Sequence, residues 1–130
     1  MAEQTPQSET ATGDAGGIAR LNDWLRAHLT APGHNRVVMT SGIAALIGDV
    51  SLFRNFRKQA ELLRAVRDFD AFDEAIDPYG EHDLGRFRFE GTDCYWKIDY
   101  YNHDLTAGSE DAADPFKTTR VLTIMRVDER

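Results

Sequence analysis

Two histidines and many carboxylates are concentrated in one short segment of the chain, residues 77–104. Histidine titrates near neutral pH and a neighbouring carboxylate can fix its tautomer, so such pairs suit general-base catalysis or metal binding. If the two ends of this segment meet in a hairpin, these groups would converge on a metal ion or a small substrate. The candidate catalytic residues are His82, Asp83, Asp99 and His103. They define one hypothesis, a small hydrolase or metal-dependent enzyme.

A structural role is the simpler interpretation of the same residues. The acids and histidines at 81–83 and 103–104 are sequence neighbours, whose side chains diverge in strands and turns, unlike the helical spacing of zinc proteases. Residues 77–80, Asp-Pro-Tyr-Gly, are typical of a β-turn in which an acid accepts backbone N–H bonds. No nucleophile or oxyanion hole is evident. Cys94 is a poor candidate nucleophile, because strand alternation places it on the core side, where thiols are usually inert. We therefore expect no metal and no cofactor, and an enzyme is the less favoured hypothesis.

Aromatic and charged side chains alternate along one predicted strand and would form one face of a sheet. Every second residue from Tyr95 to Tyr101 lies on this face, and Arg86 and Arg88 flank it from the preceding strand. Tyrosine and arginine often anchor protein interfaces, although tyrosine is also simply a good strand former. The alternative is therefore an ordinary exposed face, or one covered by the protein's own helix. The predicted binding residues are Asp77, Tyr79, Glu81, His82, Tyr95, Lys97, Asp99, Tyr101, Glu110 and Asp111.

One predicted helix is basic although the protein as a whole is acidic. One interpretation is that its polar side binds an anion or a partner. The alternative is a solvated face on which Glu61 contacts Arg57 and Arg64 within the helix. We favour the solvated face. The basic residues are Arg54, Arg57, Lys58, Arg64 and Arg67.

Apolar periodicity predicts two main helices. The first runs from Ile18, with apolar residues three or four apart, to a stop at Pro32-Gly33. The second runs from an N-cap at Ser51 to about Phe72, and its predicted buried face comprises Leu52, Phe56, Leu63 and Val66. Residues 1–17 are polar and small and predict a disordered tail, whereas the apolar stretch 43–50 has no clear period and its state stays open.

Strand patterns predict the rest of a single α+β domain spanning residues 18–130. A short strand is expected at residues 36–40, two half-buried strands around 86–101, and a last strand at 120–126. With Gly91 and Thr92 as the turn, Phe87 would pair with Trp96, Phe89 with Cys94, Arg88 with Tyr95 and Leu84 with Asp99. The expected order is helix, strand, helix and a three-stranded antiparallel meander, with the helices on one face of a small antiparallel sheet.

Bulk composition excludes several classes of function. A chain of 130 residues with 42% hydrophobic content fits one domain, and its single cysteine excludes a disulfide framework. No apolar run suits a membrane span and no secretory signal is evident, so we expect a cytoplasmic protein without membrane association. A net charge of −7 makes direct nucleic-acid binding unfavourable but permits binding to a basic protein surface. The segment 70–115 holds thirteen acids and three basic residues, a balance of −10.

Several runs together resemble one known family over about residues 18–127. The two middle runs are specific for the family known as DUF3768, whose function is unknown. The resemblance implies a small bacterial protein of the kind carried on plasmids or other mobile elements, and it implies no activity. The basic helix at 54–67 departs from what the resemblance leads us to expect. The runs are Ile18-Ala-Arg-Leu-Asn-Asp23, Val37-Val-Met-Thr-Ser-Gly-Ile-Ala-Ala-Leu46, Asp77-Pro-Tyr-Gly-Glu-His-Asp-Leu-Gly85, Trp96-Lys-Ile-Asp-Tyr-Tyr101, Gly108-Ser-Glu-Asp111 and Thr119-Arg-Val-Leu-Thr-Ile-Met125.

The favoured hypothesis is a small, acidic, non-enzymatic protein that docks on another macromolecule. Concentrated negative charge and the Tyr/Arg/Asp face favour a protein partner, with a nucleic-acid-binding protein as one candidate. Combined with the genetic context that the resemblance implies, this suggests a mobile-element accessory or an anti-defence inhibitor that mimics nucleic acid. A homodimer that pairs through a sheet edge or the tyrosine face is a further alternative.

Overall fold

A computed structural model describes residues 11–130 and shows an α+β fold, as the sequence predicts. Three α-helices pack on one face of a four-stranded sheet with the strand order β1-β4-β3-β2. None of the helices in this part of the chain is both long enough and apolar enough to cross a membrane. The elements are α1 Ala11–Ala27, β1 Arg36–Met39, α2 Ser41–Ile47, α3 Phe53–Arg67, β2 Leu84–Phe89, β3 Thr92–Tyr101, β4 Thr119–Arg126 and a final 3-10 helix Val127–Glu129.

The first helix begins at Ala11, seven residues before the predicted start at Ile18. Alanine is a strong helix former, and Asp14 in the first turn is favourable at the positive end of the helix dipole. These local preferences extend the helix through Gly16-Gly17, where the apolar stripe is absent. The part of the predicted disordered tail at residues 1–10 lies outside the described residues.

The sheet is mixed, so the prediction of a purely antiparallel sheet was wrong in this respect. Strands β2, β3 and β4 form the predicted antiparallel meander, but β1 pairs in parallel with β4, with Arg36 opposite Val121 and Met39 opposite Ile124. A strand of four residues has too little pattern to specify its neighbour. Val37 packs against the core, and this packing keeps β1 at the sheet edge.

The hairpin between β2 and β3 is shifted by two residues from the predicted pairing. Phe87 lies opposite Cys94, and the two turn residues are Glu90 and Gly91, with φ values of 52° and 72°. Two successive positive φ values are typical of the type I′ turn that joins tightly twisted strands. A shift of two residues leaves each side chain on its predicted face, so the predicted faces are right although the pairs are wrong.

The pairing of Leu84 also differs from the prediction. It lies opposite Lys97 rather than Asp99, and Phe89 lies opposite Thr92.

The third helix is shorter than predicted and buries only the C-terminal part of its predicted face, where Val66 is buried and Leu63 packs against the core. It has no side-chain N-cap, and the backbone N–H of Ser51, the predicted cap, donates instead to the carboxylate of Asp49. Leu62 and Val66 are buried, whereas Phe56 of the predicted buried face is exposed. The helix contacts α1, α2 and β2, and its buried residues lie in its C-terminal half.

The stretch whose state the sequence left open contains α2. Thr40 caps this helix by accepting a hydrogen bond from the backbone N–H of Ile43, and Gly48 ends it with φ of 85°. The carboxylate of Glu129 accepts hydrogen bonds from the Thr40 hydroxyl at 2.6 Å and from the Gly42 N–H at 3.0 Å. The last turn of the chain is thus bound to the start of α2.

Trp96 is the largest side chain in the core, and Gly85 on the neighbouring strand makes room for it. A Cβ atom at position 85 would lie 2.3 Å from the indole Nε1, inside any allowed contact. Phe69 and Phe72, beyond the end of α3, close over the same indole edge-on. The loop after α3 is therefore part of the core.

Arg26 of α1 is buried between this aromatic cluster and the end of α3. Its guanidinium lies 4.8 Å from the centroid of the Trp96 ring and donates to the backbone carbonyls of Val66, Arg67 and Phe69. These carbonyls belong to the last turn of α3 and the residues after it, where helical backbone acceptors have no intrahelical partner. One side chain of α1 thus caps α3 and packs on the sheet.

We expect Gly85→Ala to destabilise the fold by about 3 kcal/mol, because the added methyl group must displace the Trp96 indole or the strand backbone. Urea denaturation monitored by tryptophan fluorescence measures the loss. Gly108→Ala is the matched control, because its Cβ would meet only an ordinary contact at 3.8 Å. Equal stability of the two variants would contradict the proposed close packing.

We expect Arg26→Met to cost about 2–4 kcal/mol, because it leaves the carbonyls at the end of α3 without their donor while keeping an apolar stem. Arg64→Met, on the exposed side of the same helix end, should change stability by less than about 0.5 kcal/mol. Thermal unfolding checks both values. Hydrogen exchange at the last turn of α3 should increase in the Arg26 variant alone, and unchanged exchange there would refute the capping role.

Candidate functional site

None of the helices α1 to α3 packs on the sheet face opposite the core, although Arg130 lies against it. Its central strand carries Tyr95, Lys97, Asp99 and Tyr101, all of them partly exposed. The pairing places Lys97 between Leu84 of β2 and residue 123 of β4. We call this surface the open sheet face, and the sequence predicted its central residues correctly.

Arginines fix the position of Tyr95 on the open sheet face. The guanidinium of Arg130 lies 5.0 Å from the centre of the Tyr95 ring, and that of Arg86 lies at 5.8 Å. Arg86 and Arg88 also form ion pairs with Asp93, at 3.2 and 3.0 Å. The two arginines that the sequence placed beside the face therefore hold the hairpin end, and Tyr95 lies between two cations.

An open pocket of about 330 Å³ adjoins this face where the loop before β2 meets β3. The structure brings four carboxylates to its wall, and Lys97 and Arg130 are its cations. Lys97 contacts Asp99 directly. We call this feature the acidic pocket. Its acidic lining residues are Asp77, Glu81, Asp83 and Asp99.

The loop that builds the acidic pocket is organised by Asp77, whose carboxylate is buried. It accepts hydrogen bonds from the backbone N–H groups of Glu81 at 2.9 Å and His82 at 3.2 Å. The carbonyl of Asp77 accepts from the N–H of Gly80, which has φ of 68°. The predicted β-turn is therefore present, and it leaves Tyr79 78% exposed at the lip of the pocket.

Two of the pocket carboxyl groups have raised pKa values. Burial raises the pKa of Glu81, and the charges of Asp83 and Asp77 raise it further, while a contact with the Tyr100 hydroxyl partly offsets this. Burial also raises the pKa of Asp83, with added repulsion from Asp77 and Asp99. The folded pocket thus stores unfavourable negative charge at neutral pH, and a bound cationic group would relieve it.

The two candidate catalytic histidines contact different parts of the molecule. His82 Nδ1 donates to the Asp23 carboxylate at 2.9 Å, and its ring stacks on Phe72 with centroids 4.0 Å apart. His103 Nδ1 lies 3.0 Å from the Thr119 hydroxyl, and its ring packs edge-on against His34. Between residues 11 and 130 no group of three or more histidine, cysteine or acidic side chains is arranged to hold a metal ion.

The remaining predicted site residues lie outside the acidic pocket. Glu110 pairs with Lys117 at 3.3 Å, and the Asp111 carboxylate accepts the N–H of Ala113 within the same loop. On the basic helix, Lys58 pairs with Glu90 at 3.5 Å. No ion pair in the described residues joins Glu61 to Arg57 or Arg64, so the predicted intrahelical contacts are not formed there.

Sequence reasoning missed a buried polar network behind the pocket. The amide of Asn22 donates to the Tyr100 hydroxyl at 2.8 Å and to the Glu81 carbonyl at 3.0 Å, and its oxygen accepts from Arg120 Nε at 2.7 Å. Burial raises the pKa of Tyr100 well above its ordinary value, so the hydroxyl stays protonated. The sequence contained one indication of this network. Asn22 is a polar residue on the apolar face of α1, four residues from both Ile18 and Arg26, and a polar residue there indicates a buried side chain with hydrogen-bond partners.

Comparison with known families gives one match. The family described as Protein of unknown function (DUF3768) matches residues 39–129, more than half of the chain. The chain belongs to this family. The match confirms the resemblance over the acidic pocket and strands β2 to β4, while α1, its buried polar residues and nearly all of β1 precede it. No curated protein and no solved structure matched the chain.

We expect the double variant Glu81→Gln, Asp83→Asn to be more stable than the wild type at pH 7, by no more than about 1 kcal/mol because both groups are partly solvated. A raised pKa means that the folded state binds protons more readily than the unfolded state. Wild-type stability should therefore rise as pH falls from 7 towards about 5, and the variant should lack this rise. Urea titrations at several pH values measure the difference.

The control for this pH dependence is the double variant Asp70→Asn, Glu74→Gln. It changes the charge equally at exposed carboxylates without a hydrogen bond or ion pair in the described structure. It should keep the wild-type pH profile. If the free energy of unfolding of the pocket variant changed with pH in parallel with that of the wild type, the acidic pocket would hold no charge repulsion.

Proposed function

We propose that this protein is a non-enzymatic binding module that docks on the basic surface of a protein partner. The single observation that carries this proposal is the sheet, which has helices on one face only and whose other face continues into a pocket lined by four carboxylates. A solvated sheet face with tyrosines and paired charges is suited to form a protein interface. The acidic pocket favours a partner whose surface is positively charged.

Charge relief supplies the specificity in this proposal. Glu81 and Asp83 have raised pKa values because of burial and of repulsion from neighbouring carboxylates, so an inserted lysine or arginine would gain more there than at an isolated surface carboxylate. The lining residues comprise four acids and two cations, Lys97 and Arg130, so the pocket retains a net negative charge. A basic side chain of a partner is the chemistry that fits.

Aromatic anchors surround the acidic pocket. Tyr79 projects from its lip into solvent, and Tyr95 and Tyr101 lie on the open sheet face beside it. Tyrosine offers a large contact area with little loss of side-chain entropy and is frequent among residues that dominate binding energy. Tyr95 in addition has cation–π contacts with Arg86 and Arg130, which restrict its ring.

A nucleic-acid-binding protein is the partner class that we favour, because its binding surface is basic and an acidic module can occupy it. The concentration of negative charge in residues 70–115 supports this choice. Within the proposal, the protein would act as a mobile-element accessory or anti-defence inhibitor in the cytoplasm of a bacterium.

The test is affinity purification of the tagged full-length protein from its host, with a triple variant as comparison: Glu81→Gln, Asp83→Asn and Asp99→Asn. We expect one stoichiometric partner with a basic surface, bound at least 10-fold more weakly by the triple variant. The affinity of the purified pair should fall as salt is raised from 50 to about 300 mM, because screening weakens exposed charge pairs. Asp77 is left unchanged because it holds the loop together.

The control variant carries the same number of neutralised charges at exposed positions, Asp70→Asn, Glu74→Gln and Asp104→Asn, and should bind like the wild type. Equal loss in both variants would assign binding to net charge rather than to the acidic pocket. A partner retained by the pocket variant, or a homodimer as the only complex in light-scattering measurements, would overturn the proposal.

A further inference from the structure

A second pocket, of about 240 Å³, lies on the other side of the buried polar network. It is formed where the C-terminal half of α1, the loop before β1 and the loop before β4 meet. Its wall is mainly apolar and aromatic, and it contains one buried cation. We call it the Arg120 pocket, and its principal lining residues are Leu21, Trp24, Pro32, His34, Pro115 and Arg120.

Arg120 is 2% exposed and its guanidinium is only partly paired. Nε donates to Asn22, and one terminal nitrogen, Nη2, donates to the Ala112 carbonyl. The other terminal nitrogen, Nη1, donates no hydrogen bond to the residues that the structure describes. Arg120 is a lining residue of the pocket, and one of its donors is left unused by the described chain.

No carboxylate in the described chain forms an ion pair with Arg120. Glu81 is the carboxylate whose charge acts on the Arg120 guanidinium, but burial raises its own pKa, so it is an incomplete counter-charge. Burying a guanidinium without an anion is costly, and buried charges in proteins are normally paired. A site that retains such a charge at the wall of a pocket is suited to an anionic ligand.

The other walls restrict the shape of that ligand. Trp24 is held by stacking on His28, with ring centroids 4.1 Å apart, and remains 44% exposed. Gly33 turns with φ of 69° beside the indole, so the loop backbone passes close to it. His34 donates Nε2–H to the Thr118 carbonyl at 3.0 Å, which fixes the ring beside the pocket. A flat apolar body fits these walls.

We propose that the Arg120 pocket binds a small aromatic carboxylate, with the carboxylate on the free edge of the Arg120 guanidinium and the ring against Trp24. The volume suits a ligand of roughly ten to fifteen heavy atoms, at the small end of ligand sites. This inference is independent of the partner-binding proposal, because the two sites share no lining residue.

The test uses three probes, benzoate, phenylacetate and indole-3-acetate, and their uncharged amides. The 130-residue chain has two tryptophans, so the two indole N–H signals in a 15N NMR spectrum report on the pocket through Trp24 and on the core through Trp96. We expect at least one acid to shift the Trp24 signal saturably, with a dissociation constant of about 10 µM to 1 mM. Its amide should bind at least 10-fold more weakly, and the Trp96 signal should move little.

Variants locate the site. Trp24→Ala removes an exposed wall and should weaken acid binding at least 5-fold, whereas Phe53→Ala, which removes a more exposed aromatic on α3, should leave it unchanged. Arg120→Gln should abolish the preference for acid over amide. If that variant does not fold, the acid–amide comparison in the wild type still tests the charge requirement and Trp24→Ala still tests the location.

Two results would overturn the inference. The first is no saturable shift at Trp24 with any of the three acids up to 10 mM. The second is equal binding of acid and amide, which would show an apolar pocket that does not use the Arg120 charge.

Discussion

The buried guanidinium of Arg26 is the interaction on which the rest of the structure depends. It lies on the Trp96 indole and binds the backbone carbonyls at the end of α3, so one side chain joins both long helices to the sheet. A cation that caps a helix end and covers an aromatic ring satisfies backbone acceptors that would otherwise be buried without donors. Asp23 completes the arrangement by pairing with Arg26 at 3.0 Å and accepting from His82.

That arrangement also decides where interaction surfaces can form. Because all three helices are drawn to one face of the sheet, the other face is left to solvent, and the loop after α3 must cross the sheet end. The loop closes the aromatic cluster with Phe69 and Phe72 and then turns at Asp77, which gathers carboxylates beside the open sheet face. The loop after α3 thus both stabilises the core and concentrates negative charge beside the open sheet face. The inward-facing residues hold the core, while the outward-facing acids repel one another.

The polar network of Asn22, Tyr100 and Arg120 lies between the two pockets. Through the Glu81 carbonyl it contacts the loop of the acidic pocket, and through Arg120 it reaches the apolar pocket beside Trp24. Fully bonded buried networks make a core more specific, whereas an unpaired buried polar group is costly. Arg120 bonds an amide and a carbonyl and lies 5.1 Å from the centre of the Tyr100 ring, and no carboxylate of the described residues forms an ion pair with it.

The sequence by itself determined the fold class, the inward and outward faces of the hairpin strands, and the turn at residues 77–80, because these follow from alternation and local turn chemistry. Only the tertiary structure decided the parallel position of β1, the two-residue shift that pairs Phe87 with Cys94, and the separation of His82 from His103. Each of these depends on contacts between segments far apart in the chain. The burial of Arg26 and Arg120 also depends on such contacts. A charged residue in a helix or strand is normally predicted to be exposed, because the sequence does not show the distant groups that bind it.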